Sequence, residues 1–462
     1  MQNLHNHYFV KRVAGAANIA RVRPGEVISE GTFRMIRPLL WFLARLPLLA
    51  LILIVALVMS SCTMLGMNYA SLETTNKPAP SPVLDAAALS VEGSPAREGL
   101  KRAFEDVLYG PWPEGLPVSF GDWEMIDPEY LDGRGTLEEV AITVGSGEGA
   151  RTFHLVTAFP KASGPVPVVI SQTFADSCSV FPDEPVTAED GTICDGGMMQ
   201  GFPGWAATQI FGTYIALAPV DRYFDAGLAY ASFYASEFIP DSKKEAPEAM
   251  AALGGPVNPT SALMAWAYSF SASVDVLEAD PRIDPRAIAV MGHSRHGKSA
   301  LIASVWDRRI AAVVAHQSGF AGASLSRSGT GERLDRMAKA YPHWLAPQAQ
   351  DWLDKLDELP VDQHELLALA APTPILLGNG RRDVWSDPNS SYRAAEAASA
   401  VYEAAGREGL NGQGMRGFDP SAGIAWWLRP GGHSVVSEDI DAFTTFLHAH
   451  LVGSGPSQYA VQ

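Results

Sequence analysis

The chain of 462 residues holds only three cysteines, Cys62, Cys178 and Cys194. That is too few for a disulfide-stapled scaffold, and a chain of this length can bury a core that needs neither disulfides nor metals. Positive charge is also in deficit, with 34 Lys and Arg against 51 Asp and Glu and a net charge of −17 at pH 7. A nucleic-acid binder would present a basic surface, so that class is disfavoured. The eleven histidines are scattered, with neither H-E-x-x-H nor Cys/His ligand spacing. A metal enzyme is therefore not expected. No Gly-rich phosphate loop and no internal repeat occur, and no cofactor is expected. The uncharged run Leu46–Met59 is short for a membrane span: fourteen residues reach about 21 Å along a helix, against a hydrocarbon core of ~30 Å.

The scarce positive charge is concentrated at the start. Residues 1–45 carry seven Lys or Arg and two Glu, a net +5, which leaves −22 on the remainder. A basic stretch, an apolar run and then Ser60, Ser61 and Cys62 follow the layout of an export signal. Met59-Ser60-Ser61-Cys62 resembles a bacterial lipoprotein cleavage box with Cys62 as the lipidated residue. The basic region is ordinary in length if the chain starts at Met35 rather than Met1. An uncleaved membrane anchor and a buried core helix are the other readings of residues 46–59. In the first two the basic side stays cytoplasmic and an exported, periplasmic or envelope body follows. Residues 1–62 are thus read as head and signal or anchor segment, and 63–95, rich in Ser, Pro, Ala and Thr, as linker. The tail, 452–462, reads as flexible. In an exported chain Cys178 and Cys194 are placed to form a disulfide or to remain two thiols; sequence does not give their separation.

Between 96 and 451 short apolar runs alternate with helical patterns. Strand candidates are Glu139–Val144, Phe153–Ala158, Val166–Ser171, Tyr214–Ala218, Ala287–Met291, Ala311–His316, Pro374–Leu377 and Ala425–Arg429. Helices are expected over Ser261–Ala279 and Lys298–Asp307. Continuous apolar strands alternating with helices imply one α/β domain with a doubly wound, mostly parallel sheet.

One of these strands runs into Gly292-His293-Ser294-Arg295-His296-Gly297-Lys298. A buried strand, a glycine-flanked Ser and a following helix form the context of a nucleophile elbow, with helix N–H groups aimed at a developing oxyanion. The second glycine arrives one residue later than in G-x-S-x-G. A Ser nucleophile needs a base, and the base an orienting acid. Asp383 follows the strand Pro374–Leu377, and His433 follows the last strand after two glycines, so chain order and spacing fit a triad. Asp387 is the rival acid, though before Pro388 it reads better as a turn or N-cap residue.

These residues resemble the glucuronoyl esterases, α/β-hydrolase-fold enzymes that split esters of glucuronic acid on xylan with lignin alcohols. The family elbow G-C/H-S-R-x-G-K is matched by Gly292–Lys298, which accounts for the late glycine. Further likeness lies in Ser318–Ala323, Gly331-Glu332, Pro342-His343-Trp344, Leu359–His364, Asp383–Pro388 and Arg429–His433. The resemblance implies Ser294 as nucleophile, His433 as base and Arg295 as an oxyanion group. It further implies Lys298, Trp385 and, by looser correspondence, Glu332 as contacts to a uronate ring. Each has a plainer reading: Arg295 a structural ion pair, Lys298 a solvated helix residue, Trp385 core, Glu332 a helix-start acid.

Two segments depart from the family. Where many members carry Q-E-S-G, this chain has His316-Gln317-Ser318-Gly319, so the acid falls to Asp383. The early L-N-F-x-G-N-H loop is replaced by Val168–Cys178. The expected partner is a small-molecule or carbohydrate ester, with membrane contact through the N-terminal segment and no nucleic acid. An esterase acting on a different ester, and an anchored carbohydrate-binding protein without catalysis, are the competing functions.

Overall fold

The computed structural model describes residues 84–194, 205, 208–254, 260–412 and 414–452. Cys62, the head, most of the expected linker and the tail beyond Val452 lie outside them. Within the stretch read as linker, helix α1 (Ala86–Leu89) is capped by Asp85 and buries Leu89. Helix α2 (Pro95–Phe104) follows, and its buried Arg97 donates to the carbonyls of Leu89 and Ala371.

Ten strands form one sheet among the described residues. They are β1 (Val118–Phe120), β2 (Glu124–Glu129), β3 (Gly135–Val144), β4 (Arg151–Pro160), β5 (Val166–Thr173), β6 (Ala229–Tyr234), β7 (Ile283–His293), β8 (Ala312–His316), β9 (Ile375–Gly380) and β10 (Ile424–Arg429). Their order is β1-β3-β4-β6-β5-β7-β8-β9-β10, with β2 on β3. The first four strands and β6 pair antiparallel; from β6 through β5 to β10 the sheet is parallel. Alternate residues of the parallel strands feed two cores. Val168, Ile170, Ile288, Val290 and Val313 face one side, and Val169, Ala289, Met291, Ala312 and Val314 the other. Burial on both faces is why these strands read as unbroken apolar runs.

Helices α3 (Ala262–Ala279), α4 (Arg295–Trp306), α5 (Gln363–Ala370) and α6 (Pro388–Ala404) contribute to the first core; α7 (Ser437–Leu447) contributes to the second. α3 opens on Ser261, whose hydroxyl accepts from the Met264 amide, and it is buried along most of its length.

Seven of the eight expected strands are present. Tyr214–Ala218 is not one of them. Thr213–Ile215 is a 3₁₀ turn, Leu217 is exposed, and Val220–Asp225 begins a helix directly after Pro219. The strand of that region is β6, a few residues on. Apolar content alone suggested the earlier run, but Pro219 gives up the N–H that a ladder needs. The β1–β2 edge escapes sequence reading because it is half exposed and β2 carries three acidic residues. α4 starts three residues before its expected start, at Arg295.

Candidate active site

β5 is flanked by β6 on one side and β7 on the other, so successive connections leave in opposite directions. Ligands of such sheets gather beyond the carboxyl ends of the strands at this reversal. Ser294 stands there, between β7 and α4, with φ 55° and ψ −120°. That conformation is costly for a residue with a Cβ, by about 1–3 kcal/mol, and persists only where surrounding structure imposes it. The Ser294 amide donates to the His316 carbonyl at 2.8 Å and so extends the β7–β8 ladder to the turn itself.

The two glycines of the motif have separate reasons. A Cβ on Gly292 would lie 2.2 Å from the His296 carbonyl, so only glycine lets the chain double back into the helix. A Cβ on Gly297 would sit 3.0 Å from the Gly292 carbonyl oxygen and 3.2 Å from that of His316. The late glycine therefore lets the first turn of α4 lie against the ends of β7 and β8.

His433 lies in the loop that leaves β10. Its Nδ1 is 2.7 Å from Oδ2 of Asp383, and the other Asp383 oxygen accepts from the amides of Trp385 (3.1 Å) and Ser386 (3.2 Å). Burial pushes this carboxyl up, but the adjacent His433 and the donated hydrogen bonds outweigh it and hold Asp383 below its usual range. It is thus an ionised acceptor that fixes His433 with its Nε2 available to take a proton. Asp387 does not compete for this place. It caps α6 through the Ser390 amide at 3.2 Å, and accepts from the hydroxyls of Ser328 (2.8 Å) and Thr330.

The His433 loop is tied from both sides. Arg429 donates to the carbonyls of Pro430 (2.9 Å) and Ser434 (2.6 Å) while its Nε meets both oxygens of the buried Asp439. Gln317 donates to the Gly432 carbonyl at 2.8 Å and accepts from the Ser434 amide at 2.9 Å. Gln317 is thus a two-armed clamp on the residues either side of His433. Behind His433 the His293 ring packs at 4.5 Å between centroids. Burial pushes His293 well below the ordinary histidine value, so at neutral pH it adds no charge beside the base.

Ser294, Arg295, Lys298, Glu332, Trp385 and His433 line one pocket of about 550 Å³. Lys298 is 3% exposed, donates from Nζ to the Ser318 carbonyl and is pulled down to about 8 by burial, so it is not a solvated helix residue. Trp385 is 38% exposed and meets the His433 ring edge-on at 5.3 Å, so it is a pocket edge rather than core. Glu332 is held by its amide on the Trp385 carbonyl. Arg295 is paired with Asp241 and also lines the pocket. Its guanidinium lies 5.0 Å from the Phe174 ring centroid and 5.1 Å from that of Trp344.

Sequence reasoning did not find Asp241, nor Phe211 and Ile215 of the apolar wall; the segment that carries the wall's Phe174 and Ala175 was expected at the rim of the site. Phe174 and Ala175 lie in the segment that replaces the family's early loop, and Ile215 in the run misread as strand. Asp241 carries no local signal. Cys178 and Cys194 are joined as a disulfide, their Cα atoms 5.5 Å apart. Among the described residues no group of three or more His, Cys, Asp or Glu side chains is placed to hold a metal ion. The arrangement brings a serine hydroxyl, a histidine hydrogen-bonded to a buried carboxylate, and the side chains of Arg295 and Lys298 to one pocket.

The family model "Glucuronyl esterase, fungi" matches residues 202–406. A carbohydrate esterase from an unknown prokaryotic organism is 28% identical over 411 residues, covering 84% of this chain and 93% of that protein. The 4-O-methyl-glucuronoyl methylesterase 1 of Wolfiporia cocos is 34% identical over 155 residues, 32% of this chain and 38% of that protein. Among solved structures, a promiscuous CE15 esterase from a marine bacterial metagenome superposes with a TM-score of 0.67 at 27% identity, covering 82% of this chain and 99% of that one.

Proposed function

We propose that the chain is a glucuronoyl esterase that hydrolyses esters of glucuronic or 4-O-methyl-glucuronic acid through an acyl-enzyme on Ser294, a reading supported by its likeness to carbohydrate esterases and glucuronoyl methylesterases. The observation that carries this is the strained Ser294 in one pocket with the Asp383-bound His433, Arg295 and Lys298. His433 removes the Ser294 proton as Oγ attacks the ester carbonyl. The tetrahedral oxyanion is held by the Arg295 guanidinium and by the Arg295 amide, which as the first N–H of α4 has no acceptor within the helix. Collapse expels the alcohol, which takes the proton from His433. Water then attacks the acyl-enzyme, gives a proton to His433, and the acid leaves as Ser294 regains its proton. Lys298, Glu332 and Trp385 would grip the ring of the sugar acid.

A second reading, an esterase on other esters, is favoured by the Phe174–Ala175 wall, which an apolar acyl or alcohol group would fit. Methyl glucuronate compared with acetyl and aryl esters separates the two. The leading reading expects glucuronate esters to be cleaved with the higher kcat/KM, and Ser294→Ala to abolish it. Turnover of acetyl and aryl esters alone would overturn it. Undiminished turnover by Ser294→Ala would overturn Ser294 as the nucleophile, and no turnover of any ester by the wild type would favour a non-catalytic binding role.

We further propose that the enzyme is exported and held to a membrane by residues 1–62. The basic head, the apolar run and the Cys178–Cys194 disulfide, a bond typical of oxidising compartments, support this reading. Mass spectrometry of the mature chain should find a lipid-modified N-terminal Cys62, or an intact Leu46–Met59 if the segment is an uncleaved anchor. An unmodified, unprocessed cytoplasmic chain would contradict export.

A further inference from the structure

Asp241 sits just after Pro240, outside the motifs that carry the chemistry, yet three donors from two other segments converge on it. Its Oδ2 pairs with Nη1 of Arg295. Its Oδ1 accepts from Nε2 of His343 at 2.7 Å and from Nε1 of Trp344 at 2.8 Å. Burial pulls His343 down to about 4, so its ring is neutral at working pH and gives a single N–H to this bond. Trp344 in turn lies 5.1 Å from the Arg295 guanidinium and 5.9 Å from the Lys298 ammonium. One half-buried carboxylate thus fixes Arg295 at one end and the aromatic wall beneath it at the other.

An arginine offers five N–H donors on a long, freely rotating stem. Left to itself in a pocket of about 550 Å³ it would sample many rotamers, and a guanidinium that must find its place during the reaction stabilises an oxyanion poorly. Pairing through Nη1 leaves other donor edges of the guanidinium for a substrate oxygen. Phe174 and Trp344 flank it.

We propose that Asp241 is a positioning residue for the ester hydrolysis: it holds Arg295 aimed at the oxyanion. This rests on the reading of Arg295 as an oxyanion group. Asp241→Asn separates positioning from support. The Asn side-chain oxygen still accepts from His343 and Trp344, but its NH₂ group faces Nη1 of Arg295 donor to donor, so only the arginine is released. Because the oxyanion forms only in the transition state, kcat should fall with KM unchanged. The fall should be about tenfold to a hundredfold, smaller than removal of an oxyanion donor.

The experiment is a cycle of wild type, Asp241→Asn, Arg295→Ala and the double variant on a glucuronate ester, with thermal midpoints measured alongside. The expected result is a fall in kcat for each single variant, no further fall when Asp241→Asn is added to Arg295→Ala, and partial recovery of kcat in Asp241→Glu. An equal fall in both backgrounds, or a fall that tracks a lowered midpoint, would assign Asp241 to structure alone and overturn the proposal. If Arg295→Ala leaves kcat unchanged, the oxyanion reading of Arg295 fails and Asp241 falls with it. If Arg295→Ala slows the reaction but Asp241→Asn does not, only the proposal fails.

Discussion

Lys298 keeps its ammonium where water scarcely reaches. Burial lowers its pKa to about 8, although Glu332 pulls the other way. The charged form is complete below that value and is lost as pH rises through it. If the ammonium grips the uronate ring, KM for a glucuronate ester should be flat up to about pH 7. Above pH 8 it should rise, approaching tenfold per pH unit. An acetate ester, which has no ring to grip, should show no such rise. Steady-state KM against pH for the two esters checks this; the same rise for both would remove Lys298 from sugar binding. Single residues of this kind were readable in the sequence when they fell inside a motif with fixed spacing. Ser294, Arg295 and Lys298 share one helical turn, and Asp383 and His433 each follow a strand directly. Asp241 and the two-armed role of Gln317 were not readable, because their partners come from segments far along the chain and nothing local marks the meeting.

Elements, rather than residues, set how rigidly these groups are presented. α6 is capped by Asp387, which lies in the left-handed region at φ 46°. Its carboxylate caps the helix and also gathers the hydroxyls of Ser328 and Thr330, so the helix start, the 328–330 loop and the turn after Asp383 are one unit. Asp387→Ala removes a cap and takes an acceptor from the buried Ser328 hydroxyl, a loss of roughly 1–3 kcal/mol. Urea unfolding should show the midpoint fall with the slope unchanged; an unchanged midpoint would deny the cap any weight. The elements themselves were legible to the degree that they are buried on both faces. β5, β7, β8, β9 and β10 announced themselves as apolar runs. β1 and β2 did not, since a half-exposed edge has no pattern to show, and the apolar run at Tyr214–Ala218 misled because Pro219 and the helix after it turn it into a pocket lip.

For the molecule as a whole, the deficit of positive charge proves to say little about the substrate. The net charge is −17, yet Arg295 and Lys298 bring positive charge to the pocket beside Ser294. The α/β class, the strand–turn–helix at Ser294, the order Ser294, Asp383, His433 and the resemblance to the glucuronoyl esterases could be read from the chain alone, because each rests on local periodicity or on short fixed spacings. Only the tertiary structure decided that Cys178 and Cys194 are joined and that Asp387 is a cap. It alone decided that Gln317 and Arg429 brace the His433 loop, and that Asp241 pairs with Arg295. Those are facts of distance between segments remote in the chain, and distance is set by how the sheet and its loops pack.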